Sequence, residues 1–411
     1  MTILLLKKLL KLTQDLWNMI GIALLMFVAL EVGLSLTFYL RSFWHQPAPE
    51  FRAKADTYNA LSADAAWAET YYKEIDQMGK TRWRSYVYWR RAPSQGKYIN
   101  ITADGLRQTS QVTNAASPSL KVFMFGGSTL WGLGARDDFT VPSLFAKDAS
   151  AAGINCEVVN FGQYAYVSTQ GVIELMLQLQ KGNIPDAVIF LDGINDTFGA
   201  FQAGVPGLPH GEISREKEFN LLQRKEIGPL AVQAGIRELT TMRFLNGFLK
   251  KLGLRHDTVR LIPLEYETPI ADRASLAKAT VETYLNNLKM VQALSRAYGF
   301  KCLFYWQPVI YLKQHLTEYE RKSIEDGPHY PGMKEFYLDT YATLRQRTGS
   351  LPEGLALHDI SALFSAVQEP LYIDFNHLGE KGNSLIAHRM AEDFVRLARM
   401  NQKTAEPGER P

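Results

Sequence analysis

Cysteine is nearly absent from this 411-residue chain: Cys156 and Cys302 are the only two, and they form no C-x-x-C pair. A zinc ribbon and a dense disulfide framework are thereby excluded. Both cysteines stand in apolar, strand-like stretches and read as core residues. Excess charge of one sign is missing as well, with 45 Lys+Arg against 42 Asp+Glu and a formal net charge of +3. No basic stripe with interleaved aromatics runs along the chain, so nucleic acid is not an expected partner. There is no G-x-G-x-x-G, no G-x-x-x-x-G-K-[ST], and no His or carboxylate cluster at metal-ligand spacing. The usual signals for a nucleotide, an organic cofactor or a metal are therefore absent. What is present is a 46% hydrophobic composition, enough for the core of one large domain or two modest ones.

Only one hydrophobic run is long. Trp17 to Leu40 is almost wholly apolar, and at about 1.5 Å per helical residue it can cross a bilayer. It ends in Thr37-Phe38-Tyr39-Leu40-Arg41, without the short apolar core and small-residue site of a cleavable signal, so it reads as a retained anchor. Lys7, Lys8 and Lys11 precede it and Arg41 alone follows closely, with Arg52 and Lys54 further on. The positive-inside rule then puts residues 1–16 in the cytoplasm and the rest of the chain outside it, in the periplasm of a Gram-negative cell. Tyr39 and Trp44 suit the far interface. Glu31 lies inside the span, where a carboxyl group marks a membrane protein partner or else snorkels toward the outer surface.

Residues 41–118 read as an extracytoplasmic stalk, or a helix laid against the main domain, followed by a strand-turn segment. Pro47 and Pro49 break the chain, Phe51 to Lys80 has helix-like apolar spacing, and Lys97 to Arg107 is a strand pattern turning at Asp104-Gly105. From residue 119 to 400, short apolar runs alternate with helical patterns, which predicts an α/β domain with a parallel sheet. The candidate strands are Lys121 to Phe125, Cys156 to Asn160, Ala187 to Asp192, Lys301 to Trp306 and Ala356 to Asp359. Residues 198–269 exceed an ordinary connection and are expected to form a lid. A crossover helix over about Arg273 to Tyr298 would bury Leu276, Val281, Tyr284, Leu288, Val291 and Leu294. A last amphipathic helix runs from Glu380 to Met400, and 401–411 is expected to be a disordered tail.

Four stretches carry chemistry. A nucleophilic Ser must be lifted off a sheet on a tight turn beside a helix start, and Val122-Phe123-Met124-Phe125-Gly126-Gly127-Ser128-Thr129 supplies that setting. Taken alone, it equally fits a simple turn or a phosphate cradle. A base needs an orienting partner on its other ring nitrogen. Asp374-Phe375-Asn376-His377, just before the last helix, can hold carboxylate and imidazole in one turn, and equally fits a surface turn. His358-Asp359 is the nearest rival, without the helix-leading loop. An oxyanion needs donors. Gly162, after the second strand, offers an N–H, and Asn195 in Asp192-Gly193-Ile194-Asn195-Asp196, after the third, offers an amide. Asp192 and Asp196 either shape that loop or face water, and Gln307-Pro308 either borders the site or caps a strand.

Ser128, Gly162, Asn195 and His377, in that order, resemble the four signature residues of the SGNH/GDSL hydrolases, and Asp374 matches that family's triad carboxylate. Gly-Gly-Ser-Thr stands where Gly-Asp-Ser-Leu is usual. The resemblance covers about Leu120 to Leu397. It implies a three-layer α/β/α flavodoxin-like fold with strand order 2-1-3-4-5, no metal, no organic cofactor and an acyl-ester substrate. By the same resemblance Ser128 is the nucleophile, His377 and Asp374 complete the catalytic set, and Ser128, Gly162 and Asn195 form the oxyanion hole. The anchor with a Trp-Arg and an Asn-x-x-x-x-Gly-Leu-Arg stretch is similar to a membrane-anchored bacterial subgroup. Hydrolysis of acyl esters, O-acetyl esters among them, is the first functional expectation. Acyl transfer to, or deacetylation of, a cell-surface polysaccharide is the second, and a non-catalytic scaffold is the third.

Overall fold

The computed structural model describes residues 2–44, 66–79, 81–110, 119–223, 239–251, 272–326, 330–349, 351 and 354–404. The chain divides into two compact units, Met1–Glu50 with Arg215–Leu261, and Phe51–Ser214 with Ile262–Pro411.

The first unit opens with helix α1 (Thr2–Trp44). Within it Leu10–Leu40 is long and apolar enough to cross a membrane, as expected when a helix satisfies its own peptide groups and presents only hydrocarbon. Helical structure begins at Thr2, so Lys7, Lys8 and Lys11 lie on the same helix as the apolar stretch. Glu31 has partners within the chain. Its carboxyl oxygens accept the N–H groups of Thr240 and Thr241 and, at 2.6 Å, the Thr241 hydroxyl. The chain itself satisfies the polar group that the sequence left open.

The second unit begins with α2 (Ala68–Gln77), where a helix was expected over Phe51 to Lys80; residues 51–65 of that expectation lie outside the described residues. This is no free stalk: Trp67, Ala68, Tyr71 and Tyr72 are buried in a cluster with Ile99, Ile101, Trp131 and Ile373. A hairpin of β1 (Arg82–Arg84) and β2 (Tyr88–Arg90) follows, then the short pair β3 (Ser94–Gln95) and β4 (Asn100–Ile101). The turn at Asp104-Gly105 has Gly105 at φ +77.

The core succession is β5 (Leu120–Gly126), α3 (Ser128–Trp131), α4 (Val141–Ala151), β6 (Cys156–Asn160), α5 (Ser168–Gln180), β7 (Ala187–Asp192) and α6 (Ile194–Ala203). Next come α7 (Glu212–Gln223), α8 (Thr240–Lys251), α9 (Arg273–Tyr298), β8 (Lys301–Trp306), α10 (Glu318–Asp326), α11 (Met333–Thr348), β9 (Leu357–Asp359) and α12 (Glu380–Thr404). The five long-range strands are parallel in the order β6-β5-β7-β8-β9, which is the expected 2-1-3-4-5. Because strand side chains alternate, Phe123, Phe125, Val188, Phe190, Phe304 and Trp306 face one apolar layer, built with α5, α6, α9 and α11. Val122, Met124, Ile189, Leu191, Leu303 and Tyr305 face the other, built with α4 and α12. Burial on both faces is why these strands read as unbroken apolar runs. Cys156 and Cys302 are free thiols on β6 and β8.

The lid expectation needs correction at its start. Phe198 to Ala203 continue α6, and Phe198 and Phe201 are 4% and 1% exposed in the core. Their spacing serves the sheet, not a cap. Residues 215–261 group with the first unit, and 224–238 and 252–271 lie outside the described residues. At the other end α12 runs on to Thr404, so 401–404, expected in the tail, are helical; 405–411 lie outside the described residues.

Arg107 ties the N-terminal segment to the sheet. Its guanidinium is buried, donates to the carbonyls of Gly132 and Ala135 at 2.6 Å, pairs with Asp137 at 2.8 Å, and lies over the Trp131 ring. Removing it strands several buried acceptors at once. Arg107→Ala is therefore expected to cost about 3–5 kcal/mol, read as a lowered urea midpoint of the detergent-solubilised protein.

Candidate active site

Ser128 opens α3 directly after β5, with Gly127 as an extended N-cap and the Trp131 N–H donating to the Gly127 carbonyl at 3.0 Å. The two glycines before it are required by proximity, not by a left-handed turn. A Cβ at Gly126 would lie 2.4 Å from the Leu191 carbonyl, and one at Gly127 would lie 2.1 Å from Asn195 Nδ2. Any side chain at either position would push β5 from β7 or displace Asn195. Ser128 is 7% exposed, and its Oγ is 2.7 Å from His377 Nε2.

His377 sits on a loop closed by its own backbone. The Ile373 N–H donates to the His377 carbonyl at 2.9 Å, and the Gly379 N–H to the Leu371 carbonyl at 2.8 Å. At the tip, Asp374 Oδ1 accepts the N–H groups of Asn376 and His377, leaving Oδ2 to meet His377 Nδ1 at 2.7 Å. Enclosure by protein pushes the Asp374 carboxyl up, but the imidazole and the two N–H groups outweigh it, and the group titrates below its ordinary value. The carboxylate thus orients the ring with Nε2 facing Ser128.

A buried ion pair braces this loop from below. Lys313 and Glu320 have fully buried side chains 2.5 Å apart. Glu320 also accepts the N–H groups of Leu371 and Tyr372, Lys313 donates to the Glu369 carbonyl, and the Tyr319 hydroxyl donates to the Ile373 carbonyl at 2.7 Å. Burial raises the Glu320 carboxyl, yet the Leu371 N–H, Lys313 and Thr317 hold it below the usual range. Nothing in the sequence pointed to this brace, since Lys313 and Glu320 stand in an unremarkable loop and helix start far from Asp374.

The remaining predicted residues converge on the end of β5. Asn195, on the first turn of α6, is 8% exposed and donates from Nδ2 to the Tyr166 carbonyl at 2.9 Å. One of its two amide hydrogens is thereby used and the other is left over. Gly162 is close by, for a Cβ there would lie 2.6 Å from the Trp131 nitrogen. Its single N–H, however, is already given to Asn160 Oδ1 at 2.9 Å. Asn160 in turn donates to the Leu130 carbonyl, stitching the end of β6 to α3. In the connection from β6 to α5, Ala165 adopts φ +60, uncommon for a residue with a Cβ, and its N–H has no hydrogen-bond partner among the described residues. An alanine in that conformation carries no sequence signal.

The rivals are placed elsewhere. His358 stacks on Tyr305 and faces Asp393 at 3.4 Å, and burial lowers its imidazole. Gln307 is buried beyond β8, with its N–H on the Asp192 carbonyl. Asp196 accepts from the Ser168 N–H and hydroxyl and from the Gly193 N–H, which secures the start of α6. Asp192 is 4% exposed and its Oδ2 has no partner among the described residues. Burial, with Asp196 adding to it, drives its carboxyl well above the ordinary value. No group of three or more His, Cys, Asp or Glu able to hold a metal occurs among the described residues.

No protein-family model and no curated protein matches the chain. Among solved structures it is similar to an acetyl xylan esterase, with 13% identity, 67% of this chain and 99% of that one covered, and a TM-score of 0.34. It is also similar to a mutant acetyl-xylooligosaccharide esterase from Geobacillus stearmophilus, with 14% identity, coverages of 68% and 94%, and a TM-score of 0.34. A third is a member of the lipolytic protein G-D-S-L family from Veillonella parvula, with 12% identity, coverages of 68% and 100%, and a TM-score of 0.36.

Two outcomes follow from these contacts. Asp192 has a folded pKa above its unfolded value of about 3.9, so its contribution is present below that pH and is lost as pH rises toward the folded value. Asp192→Asn should therefore melt higher than wild type at pH 8 and equally at pH 3.5, measured by scanning calorimetry. For the brace, Glu320→Gln weakens the hold on Leu371 and Tyr372. Turnover of an ester substrate should fall several-fold while KM stays near wild type, because the loop that loosens carries His377.

Proposed function

We propose that this chain is a membrane-anchored serine ester hydrolase of the SGNH/GDSL type, with its catalytic unit outside the cytoplasm. The observation that carries the reading is the continuous relay from Ser128 Oγ through His377 to Asp374, with both links at 2.7 Å. A chain without this chemistry has no use for a serine, an imidazole and a carboxylate so ordered. The relay counts against a scaffold.

In the mechanism, His377 Nε2 takes the Ser128 proton as Oγ attacks the ester carbonyl, and Asp374 stabilises the imidazolium that forms. The proton then passes to the leaving alcohol, and an acyl group remains on Ser128. Water, activated by the same imidazole, attacks the acyl carbon and releases the acid. The tetrahedral oxygen is met by the Ser128 N–H and the unused hydrogen of the Asn195 amide. Gly162 was the expected third donor. Its N–H is committed to Asn160, and its lack of a side chain lets the loop close on α3. Each such donor contributes about 2.7–4 kcal/mol to transition-state stabilisation.

The anchor reading rests on the apolar Leu10–Leu40 stretch of α1 and the lysines before it. It places the site where acyl esters of envelope lipids or glycans are within reach, and O-acetyl groups are the smallest of these.

A fluorophosphonate probe should label the wild-type protein and fail to label Ser128→Ala; labelling that persists in the variant would falsify the assignment. Ester hydrolysis should fall about ten-thousand-fold or more in His377→Ala and roughly 100- to 1,000-fold in Asn195→Ala.

A further inference from the structure

Glu31 lies inside the apolar stretch of α1, and it is bonded to the start of another helix. At about 1.5 Å per residue, a span from Trp17 to Leu40 has its middle about 4 Å from Glu31. One centred on Leu10–Leu40 has its middle at Leu25, about 9 Å away. Either distance is less than half of a hydrocarbon core about 30 Å thick. Thr240 and Thr241, whose N–H groups bind the Glu31 carboxyl, begin at that depth. A second contact lies one turn further along the same face of α1, where the Ser35 and Thr240 hydroxyls are 2.7 Å apart.

The two partners need one another there. The first N–H groups of any helix have no acceptor within it, and hydrocarbon offers no water to supply one. A carboxyl group at that depth is equally costly without donors. Bonded together, the start of α8 and Glu31 relieve both deficits. Beyond this join, α8 turns a stripe of Phe244, Leu245 and Phe248 outward, with the three side chains 49%, 44% and 51% exposed. They sit three and four residues apart, on one side of the helix. The helix has 12 residues, about 18 Å, too few to span.

We infer that Thr240–Lys251 is a re-entrant helix seated in the bilayer, docked to the anchor by Glu31 and Ser35, with Phe244, Leu245 and Phe248 packed against lipid acyl chains. The inference rests on α1 being a membrane span, and it goes beyond that reading by assigning a second intramembrane element from a distant part of the chain. Continuity with a span whose own Leu24, Leu25 and Leu30 stand exposed selects lipid as the occupant.

The test uses the full chain, with Cys156→Ala and Cys302→Ala, in phosphatidylcholine vesicles at high lipid excess. Nitroxide labels are placed at Leu25→Cys or Phe248→Cys and relaxed by oxygen, which partitions into lipid, or by a water-soluble nickel chelate. Both labels should respond to oxygen and show a loss of nickel accessibility. Adding Glu31→Ala should restore nickel accessibility at Phe248→Cys and leave Leu25→Cys shielded, while Glu31→Gln, which keeps an acceptor oxygen, should retain the shielding. A nickel-accessible label at Phe248→Cys beside a shielded Leu25→Cys overturns this inference alone. Nickel accessibility at Leu25→Cys overturns the span and the inference with it. A shielded Phe248→Cys label broadened by spin–spin coupling means that a second copy covers the stripe, which also overturns it.

Discussion

A Cβ at position 127 would lie 2.1 Å from the Asn195 amide nitrogen, and one at position 126 would lie 2.4 Å from the Leu191 carbonyl. The chain leaving the central strand is thus pinned against its neighbour over the two residues before Ser128. The strand order reverses between β5 and β7, and in open α/β sheets the crevice at such a point receives ligands. Close approach of the two strand ends puts Asn195 beside the start of α3. Asn160 closes the third side by donating from β6 to the Leu130 carbonyl of the same helix, while its Oδ1 accepts the Gly162 N–H. Much of the site's geometry follows from that squeeze.

The other half of the site comes from the opposite end of the chain and is held by different forces. The Asp374 to His377 turn makes its own backbone hydrogen bonds, but a loop of this kind stays mobile unless something beneath it is fixed. Lys313 and Glu320 provide that. A fully buried ion pair contributes little net stability, since removing both charges from water offsets most of their attraction. Its value is directional: Glu320 takes two N–H groups of the loop and Lys313 takes a carbonyl, so the loop has few other positions available to it. Asp192 is the contrasting case, for burial and the neighbouring Asp196 both raise its carboxyl above the ordinary value.

The same accounting explains the anchor unit. Thr240 and Thr241, more than two hundred residues away, supply the donors to Glu31. An insertion that looks from its length like a lid instead gives part of itself to the anchor.

Much of this protein was legible in the sequence. The five strands, the long crossover helix from Arg273, the strand order and the triad set Ser128, Asp374 and His377 all follow from local signals or from the family resemblance. Runs such as Val122 to Phe125 and Ala187 to Asp192 declare buried parallel strands by lacking polar positions, and Asp-x-x-His closes within one turn. What could not be read depended on contacts between distant residues. Glu31 finding Thr240, Glu320 bracing Leu371, Asn160 taking the Gly162 N–H, and Phe198 belonging to the core are facts of proximity. Periodicity records which face of an element is apolar, because burial acts on every turn or alternate residue. Hydrogen-bond partners far apart in the chain leave no such period, and only the folded chain decides them.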